Sequence, residues 1–534
     1  MIGMKKITAM LLFVCMLFGI RMISFAEPTG TFYEEYGIWF DSKTGTITGF
    51  QEEINQVEIP KEIDGKAVLA IGEKAFYECT TLTRVLMPDS IVKINAQAFA
   101  GCGALEEITF SSNIERIGAE AFLQCNSLQE VSFSESLEII ENSAFLNCNS
   151  LTKVELPARV SEIGDGAFSY CEKLEDISVS EENKMFCVEN GVLFDKEKTT
   201  LIQYPAGLKS DSYEIPETVK TIKNAAFAYS NQLSSVTLQD GLTEIGDFAF
   251  FECDSLKELT IPDTVFRIGK EAFAWCNNLK EVTLPEGLES IEYGLFWNAK
   301  KLEKVNIPSS VTNICDYAFA LCESLTSIQL SPDVISLGEE SFAYCSNLKK
   351  IEFPDQLTMI CKKAFLNNYS LRQVIVRNGT AYFEENVFEG CKNLQFFSPP
   401  DSAVQAYVLG NEDAWEKIVT ITYMGHEIPS DQLPITRSSR TLVPVRAVFE
   451  AMGATVEWIG SDQTVAMSRN DTLIFLTMDQ HTMWVNGNAV QLDVAPVMQH
   501  GRIFVPVRAI AEGLHCDIYW DEATQTVSIW EKEN

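Results

Sequence analysis

The chain has 534 residues, 46% of them hydrophobic, with 30 glycines and 18 prolines. That composition excludes a disordered polymer, and the length exceeds what one compact core accommodates, so a repeat array or several domains is expected. A net charge of −34 repels phosphate backbones and anionic membranes, which argues against a nucleic-acid partner; its plainest role is to keep a long surface soluble.

Residues 1–26 read as a secretory signal. Lys5 and Lys6 supply the positive start, the run from Ile7 to Ile20 is apolar but short for a span, and Ser24-Phe25-Ala26 offers small residues for cleavage. A retained anchor is the alternative. Removal takes away three positive charges and leaves −37. The mature chain is then expected outside the cell, secreted or associated with the cell surface or wall, without a membrane span.

Residues 27–70 hold no complete repeat. Two short strands are expected around Gly37-Ile-Trp-Phe40 and Gly45-Thr-Ile-Thr-Gly49. They form a candidate N-terminal cap, because a stack of repeats exposes an apolar end unless an atypical unit covers it.

From residue 71 to 400 one stretch is written thirteen times, most clearly as Ile245-Gly-Asp-Phe-Ala-Phe-Phe-Glu-Cys-Asp-Ser-Leu-Lys-Glu-Leu-Thr-Ile-Pro262. Its anchor is a Phe at 76, 99, 122, 145, 168, 227, 250, 273, 296, 319, 342, 365 and 388, stepping by 23 except for one step of 59. A Leu always follows six residues later, from Leu82 to Leu394. Apolar residues then alternate at strand spacing, and a Pro often ends the strand where no ladder donor is needed. About six inward apolar side chains per copy cannot fold alone against chain entropy, so neighbours must stack. The expectation is an α/β repeat solenoid, a right-handed coil of short parallel strands around a Leu, Phe and Cys core.

Ten of fifteen cysteines occupy the position three after the Phe, and Ser230, Ala299 and Asn368 fill it elsewhere. Those replacements are mostly small, as a space limit demands. Parallel Cβ vectors on rungs ~4.8 Å apart are poorly placed for bridging. A buried column of thiols is the expected state.

These residues resemble the BspA-like leucine-rich repeat found in bacterial and protozoal surface proteins. The long step fits the resemblance, since Asn190-Gly-Val-Leu-Phe-Asp195 and Leu201-Ile-Gln-Tyr-Pro205 are similar to a hairpin excursion of that family, here at about 181–215. Residues 401–417 read as a C-terminal capping segment, with a closing helix over 403–417.

Residues 418–534 form a different module. Arg440-Thr-Leu-Val-Pro-Val-Arg-Ala447 recurs 62 residues later as Arg502-Ile-Phe-Val-Pro-Val-Arg-Ala509, and Trp458 matches Trp520. Two related halves of strand, helix and hairpin result, resembling the copper amine oxidase N-terminal-like domain in a small α+β arrangement. Ser439 stands where that family carries Gly, and His515 where the other half has Gly453; each is expected to loosen its half.

Catalysis finds little support. All four histidines, His426, His481, His500 and His515, lie in the terminal module without an H-x-H pair, so no copper triad is visible. The solenoid has no histidine to serve a Ser or Cys nucleophile. No catalytic, metal or cofactor residue is assigned, and an accessory binding role follows.

Two surfaces remain for a partner. On the strand side, charged residues (Arg84, Glu107, Glu130, Lys153, Asp176, Glu258, Glu281) alternate with hydroxyls (Thr109, Ser132, Ser178, Thr237, Thr260, Thr283). One or two residues after the Phe, the turn carries Tyr170, Tyr229, Phe251, Trp275, Trp297 and Tyr344. Half-buried edge packing is their plain role, and ligand contact the functional one. The resemblance implies adhesion to a host or neighbouring-cell protein through the solenoid, with the terminal module at the envelope. The alternative is a cell-wall glycan bound by that module, with the solenoid as spacer.

Overall fold

The structure is a computed structural model that describes residues 28–51, 54–377, 381–399, 402, 404, 407, 415–430, 432–499, 501–522 and 524–532. The secretory-signal reading of residues 1–26 lies outside them. Among the described residues no helix is long and apolar enough to cross a membrane. The chain divides into two compact units, Met1–Ser212 with Thr218–Leu233 and Tyr213–Glu217 with Ser234–Asn534.

The first unit begins with the strands foreseen near its start. Thr31–Tyr33, Ile38–Asp41 and Thr46–Phe50 form an antiparallel meander, and Thr46–Phe50 then pairs in parallel with Ala70–Ile71. From there two-residue strands stack in parallel through Lys93–Ile94, Arg116–Ile117, Ile139–Ile140 and Glu162–Ile163. Longer strands build the other side of each coil, Glu130–Ser132 to Lys153–Leu156 to Asp176–Val179, in register at 23-residue spacing. Between these sides lie Phe76, Phe99, Phe122, Phe145 and Phe168 with their partner leucines, all essentially inaccessible. Neighbouring rings are near-parallel at centroid distances of 5.0–5.6 Å, and Phe50 starts the column 5.7 Å from Phe76. Such pairs add about 0.5–1.5 kcal/mol each beyond burial.

The third side of every coil is a chain of overlapping β-turns. In all thirteen copies the residues two before and two after the anchor Phe have positive φ, for example Gln97 (56°) and Gly101 (79°), or Glu120 (56°) and Gln124 (61°). Left-handed backbone costs a non-glycine residue roughly 1 kcal/mol. The geometry aims alternate amides along the stack: Gln97, Phe99 and Gly101 donate to the carbonyls of Ala119, Ala121 and Leu123 at 2.8–2.9 Å. Each such bond returns a comparable amount.

The insertion is a hairpin, Phe186–Glu189 with Val192–Asp195, turning at Asn190-Gly191 with both φ positive (51° and 82°). That is the two-residue turn whose twist matches paired strands. Thr200–Gln203 returns alongside and pairs in parallel with Thr221–Ile222. Tyr204 then fills an anchor position: it is 1% exposed, stacks 5.1 Å from Phe227, and donates its amide to Ala226 as the phenylalanines do in their coils.

The second unit repeats the coil with Phe250, Phe273, Phe296, Phe319, Phe342, Phe365 and Phe388, their rings 5.1–5.8 Å apart. Phe396 meets Phe388 edge-on and Tyr407 packs on Phe383, closing this column. The closing helix expected over 403–417 is only partly present. Val404 and Tyr407 are helical, but Trp415–Lys417 is a strand that pairs in parallel with Gln395–Ser398. A sheet edge left open by the last coil offers these residues more backbone bonds than a helix end does; the intervening 408–414 lie outside the described residues.

Beyond it, Thr420–Tyr423 pairs with Thr526–Glu531 rather than with the coils. Two hairpins, Ile435–Arg437 with Arg440–Pro444 and Val497–Gln499 with Arg502–Pro506, meet antiparallel with Val443 opposite Val505. Those valines are 62 residues apart, so the duplicated halves pack about a local twofold axis between them. Each hairpin leads into a helix, α1 (Val445–Ala451) and α2 (Val507–Gly513), whose buried faces share one core with the flanking sheets.

Candidate binding surfaces

The fourteen cysteines among the described residues are all free. The coil thiols are more than space fillers. Cys102, Cys125, Cys148, Cys171, Cys276, Cys322, Cys345 and Cys391 each place Sγ 3.0–3.3 Å from the carbonyl oxygen of the preceding anchor Phe. Burial pushes the thiols of Cys102, Cys125, Cys148, Cys276, Cys322, Cys345 and Cys391 up, to about 12 at Cys345, so these stay protonated donors and are poor nucleophiles.

The turn side carries the aromatic residues, and left-handed geometry decides their placement. Tyr170, Tyr229, Trp275 and Tyr344 occupy the positive-φ position two after the Phe, while Phe251 and Trp297 sit one after it. In the first unit Tyr170 is buried and Tyr229 half-buried, their rings 5.0 Å apart. In the second unit Phe251 is buried 6.0 Å from Phe248. Trp275 and Trp297 are half-buried and meet edge-on at 6.1 Å; Trp297 continues to Tyr317, and Tyr317 to Tyr293 at 5.6 Å. Tyr344 is 37% exposed. Tyr293 and Tyr317 precede their anchor Phe by three and two residues, so the pattern of aromatics that follow each Phe does not point to them.

Beneath this cluster lies Glu271, 2% exposed, at the left-handed position before Phe273. It has room because the matching residue of the next coil is Gly294, where a Cβ would sit 2.8 Å from the Glu271 side chain. Burial, reinforced by Asp247, pushes its carboxyl up to about 8. Its Oε2 and the Trp275 indole nitrogen are buried with no hydrogen-bond partner among the described residues. Burial and then the Glu340 and Glu339 charges raise Tyr317 to about 12. The cluster therefore presents neutral, amphipathic rings above a neutral acid, a combination suited to anchoring a partner surface.

The strand side is a ladder of exposed charges. Arg84 lies 3.1 Å from Glu107, Arg377 2.7 Å from Glu352, and Lys304 pairs with Glu281. Such pairs are worth about 0–1 kcal/mol each and shape specificity more than stability. In the duplicated region, His481 Nδ1 lies 3.1 Å from the Leu492 carbonyl oxygen. Among the described residues no group of three or more His, Cys, Asp or Glu is placed to hold a metal ion.

Stacked 23-residue coils with a Leu and Phe core define a leucine-rich-repeat solenoid. The family described as BspA type leucine rich repeat region matches residues 51–189, 206–326 and 312–408 in six copies. The chain belongs to that family. Residues 422–529 match the copper amine oxidase N-terminal domain. A leucine-rich repeat protein from Eubacterium ventriosum is 30% identical, with 60% of this chain and 83% of that one covered and a TM-score of 0.56. One from Bacteroides ovatus is 26% identical over 74% of this chain and all of its own, at a TM-score of 0.45. The pneumococcal vaccine antigen PcpA is 22% identical, over 70% and 92%, at 0.44. No curated protein matches the chain.

Proposed function

We propose that the protein is a non-enzymatic surface protein that holds an extracellular or host protein through the turn side of its second unit, while the region from residue 418 associates with the cell envelope. The observation that carries this reading is the continuous ring cluster Trp275–Trp297–Tyr317–Tyr293. Tyr344 extends the exposed aromatic surface of the same unit. Clustered Trp and Tyr side chains are the residues that dominate protein interfaces. Membership in a repeat family resembling surface proteins supports the location, as does the signal read over residues 1–26. Tyr170 and Tyr229 form a second, smaller candidate contact in the first unit; Phe251 is buried and supports Phe248 rather than touching a partner.

The test is binding of the full chain to immobilised extracellular-matrix proteins, compared with a Trp275→Ala/Trp297→Ala variant. Loss of about tenfold or more in affinity is expected, since anchor aromatics contribute about 2 kcal/mol or more. Unchanged binding by a folded variant removes the cluster from the interface.

A further inference from the structure

In every copy but one, a strand follows the invariant Leu; the copy anchored on Phe319 is the exception. Its residues Ser327-Ile-Gln-Leu330 alternate as Glu281-Val-Thr-Leu284 does two coils earlier, so local sequence does not account for the loss. One ladder runs through Glu258–Thr260 and Glu281–Thr283 and ends at Lys304–Val305. The next begins beyond the exceptional coil, at Lys350–Phe353 with Gln373–Val376.

The withdrawal starts at Asn306, whose side chain replaces backbone. Its Oδ1 accepts the Leu284 amide at 2.7 Å and its Nδ2 donates to the Leu284 carbonyl oxygen at 3.1 Å. Among the described residues, no hydrogen bond reaches the amide or carbonyl of Ser327, Ile328, Gln329 or Leu330. In a regular coil the Ile261 amide donates to the Thr283 carbonyl oxygen of the next at 3.0 Å. The same register directs the Leu330 amide toward Glu352, and no bond joins them. The core still holds the coil: Phe319 and Leu325 are inaccessible, and the Lys349 amide reaches the Thr326 carbonyl oxygen at 3.2 Å. Ile328 is half-buried, although its counterparts Val282 and Ile351 are buried.

A cleft of about 840 Å³ lies on this side, with Ile328, Gln329 and Leu330 in one wall and Glu352 and Phe353 in the other. Glu352 is already paired, 2.7 Å from Arg377 and 3.6 Å from Lys350. Asp333 and Asp355 complete the charged lining, which disfavours an acidic ligand.

We propose that this cleft takes an extended, neutral or basic segment of a partner polypeptide. The segment pairs its backbone with Ser327–Leu330 and lays an apolar side chain on Ile328. Alternating donors and acceptors along a strand are matched by another extended backbone, whereas an ion or a compact sugar meets one or two of them. This site is on the strand side and does not rest on the ring cluster of the turn side.

The experiment titrates the full chain with an acetylated, amidated peptide copying residues 234–239, a neutral ladder strand of this protein. A second peptide of the same sequence carries N-methyl groups on alternate amides. The first is expected to bind saturably and to slow amide exchange across residues 326–331. The N-methylated peptide should bind at least tenfold more weakly, since two or more backbone bonds are lost. Ile328→Ala should weaken binding of the first about fivefold through loss of apolar contact. Absence of saturable binding, protection at other coils instead, or equal affinity of the N-methylated peptide would overturn the proposal.

Discussion

The thiol of Cys102 donates to the carbonyl oxygen of Phe76 in the preceding coil, 3.0 Å away. That oxygen also accepts the amide of Cys79, so one carbonyl ties its own turn and the next coil together. Where the thiol is replaced by Asn368, the side-chain amide donates to Phe342 at 2.8 Å. The column is therefore a line of hydrogen-bond donors as well as a space limit.

Substituting Cys125 with Ala should destabilise the first unit by about 1–2 kcal/mol, from a lost bond and a small void. In the native protein the fully buried coil thiols should resist alkylation, and the half-buried Cys187, Cys315, Cys361 and Cys391 should react first. Mass spectrometry of pulse-alkylated protein reads both. Disulfides among the coil cysteines would contradict this.

Phe145→Ala should cost about 3–5 kcal/mol, because the ring stacks on Phe122 and Phe168 and no side chain collapses into its place. Stacked coils contact only their neighbours, so the loss should be local. Hydrogen exchange is expected to rise in residues 122–168 well before Phe365 and its neighbours respond.

Glu271 makes stability depend on pH. Its carboxyl titrates at about 8 in the folded protein and in the ordinary carboxylate range once unfolded. Below that range both states hold the proton and the contribution is complete. Between the two values only the unfolded state releases it, so stability falls by about 1.4 kcal/mol per pH unit and levels off above 8. Glu271→Gln should remove this slope, gaining stability over the parent at pH 8 relative to pH 5. Denaturant unfolding at the two pH values checks it; parallel pH curves would contradict it.

Ser439 and His515 hold left-handed backbone at φ 58° and 62°, where their counterparts Gly501 and Gly453 sit at 75° and 81° with no atom within 4 Å of a built Cβ. Ser439→Gly and His515→Gly should each stabilise the duplicated region by roughly 1 kcal/mol, in line with the non-glycine penalty. Thermal melts of the two variants and their combination measure it.

Much of this architecture was legible in the sequence, because a 23-residue period writes the Leu, Phe and Cys columns directly and a 62-residue repeat writes the twofold. Other features left no local signature. The paired left-handed positions carry Glu, Gln, Lys or Tyr as readily as Gly, since neighbouring coils, not residue type, enforce them. Tyr204 lay hidden in what read as an excursion, and only its stacking on Phe227 reveals an anchor. The strand at Trp415–Lys417 depends on a sheet edge supplied by Gln395–Ser398, which no local propensity encodes. Within the candidate site, the contact of Trp275 with Trp297 follows from the period, but Tyr293, Tyr317 and the buried acid below them emerge only from packing.

The most direct measurement is amide hydrogen exchange of the full chain with and without a bound matrix protein. The account predicts new protection centred on the turns around Trp275, Trp297 and Tyr317. Protection confined to residues 420–531, or to the strand side at Glu258–Thr260 and Glu281–Thr283, would contradict it.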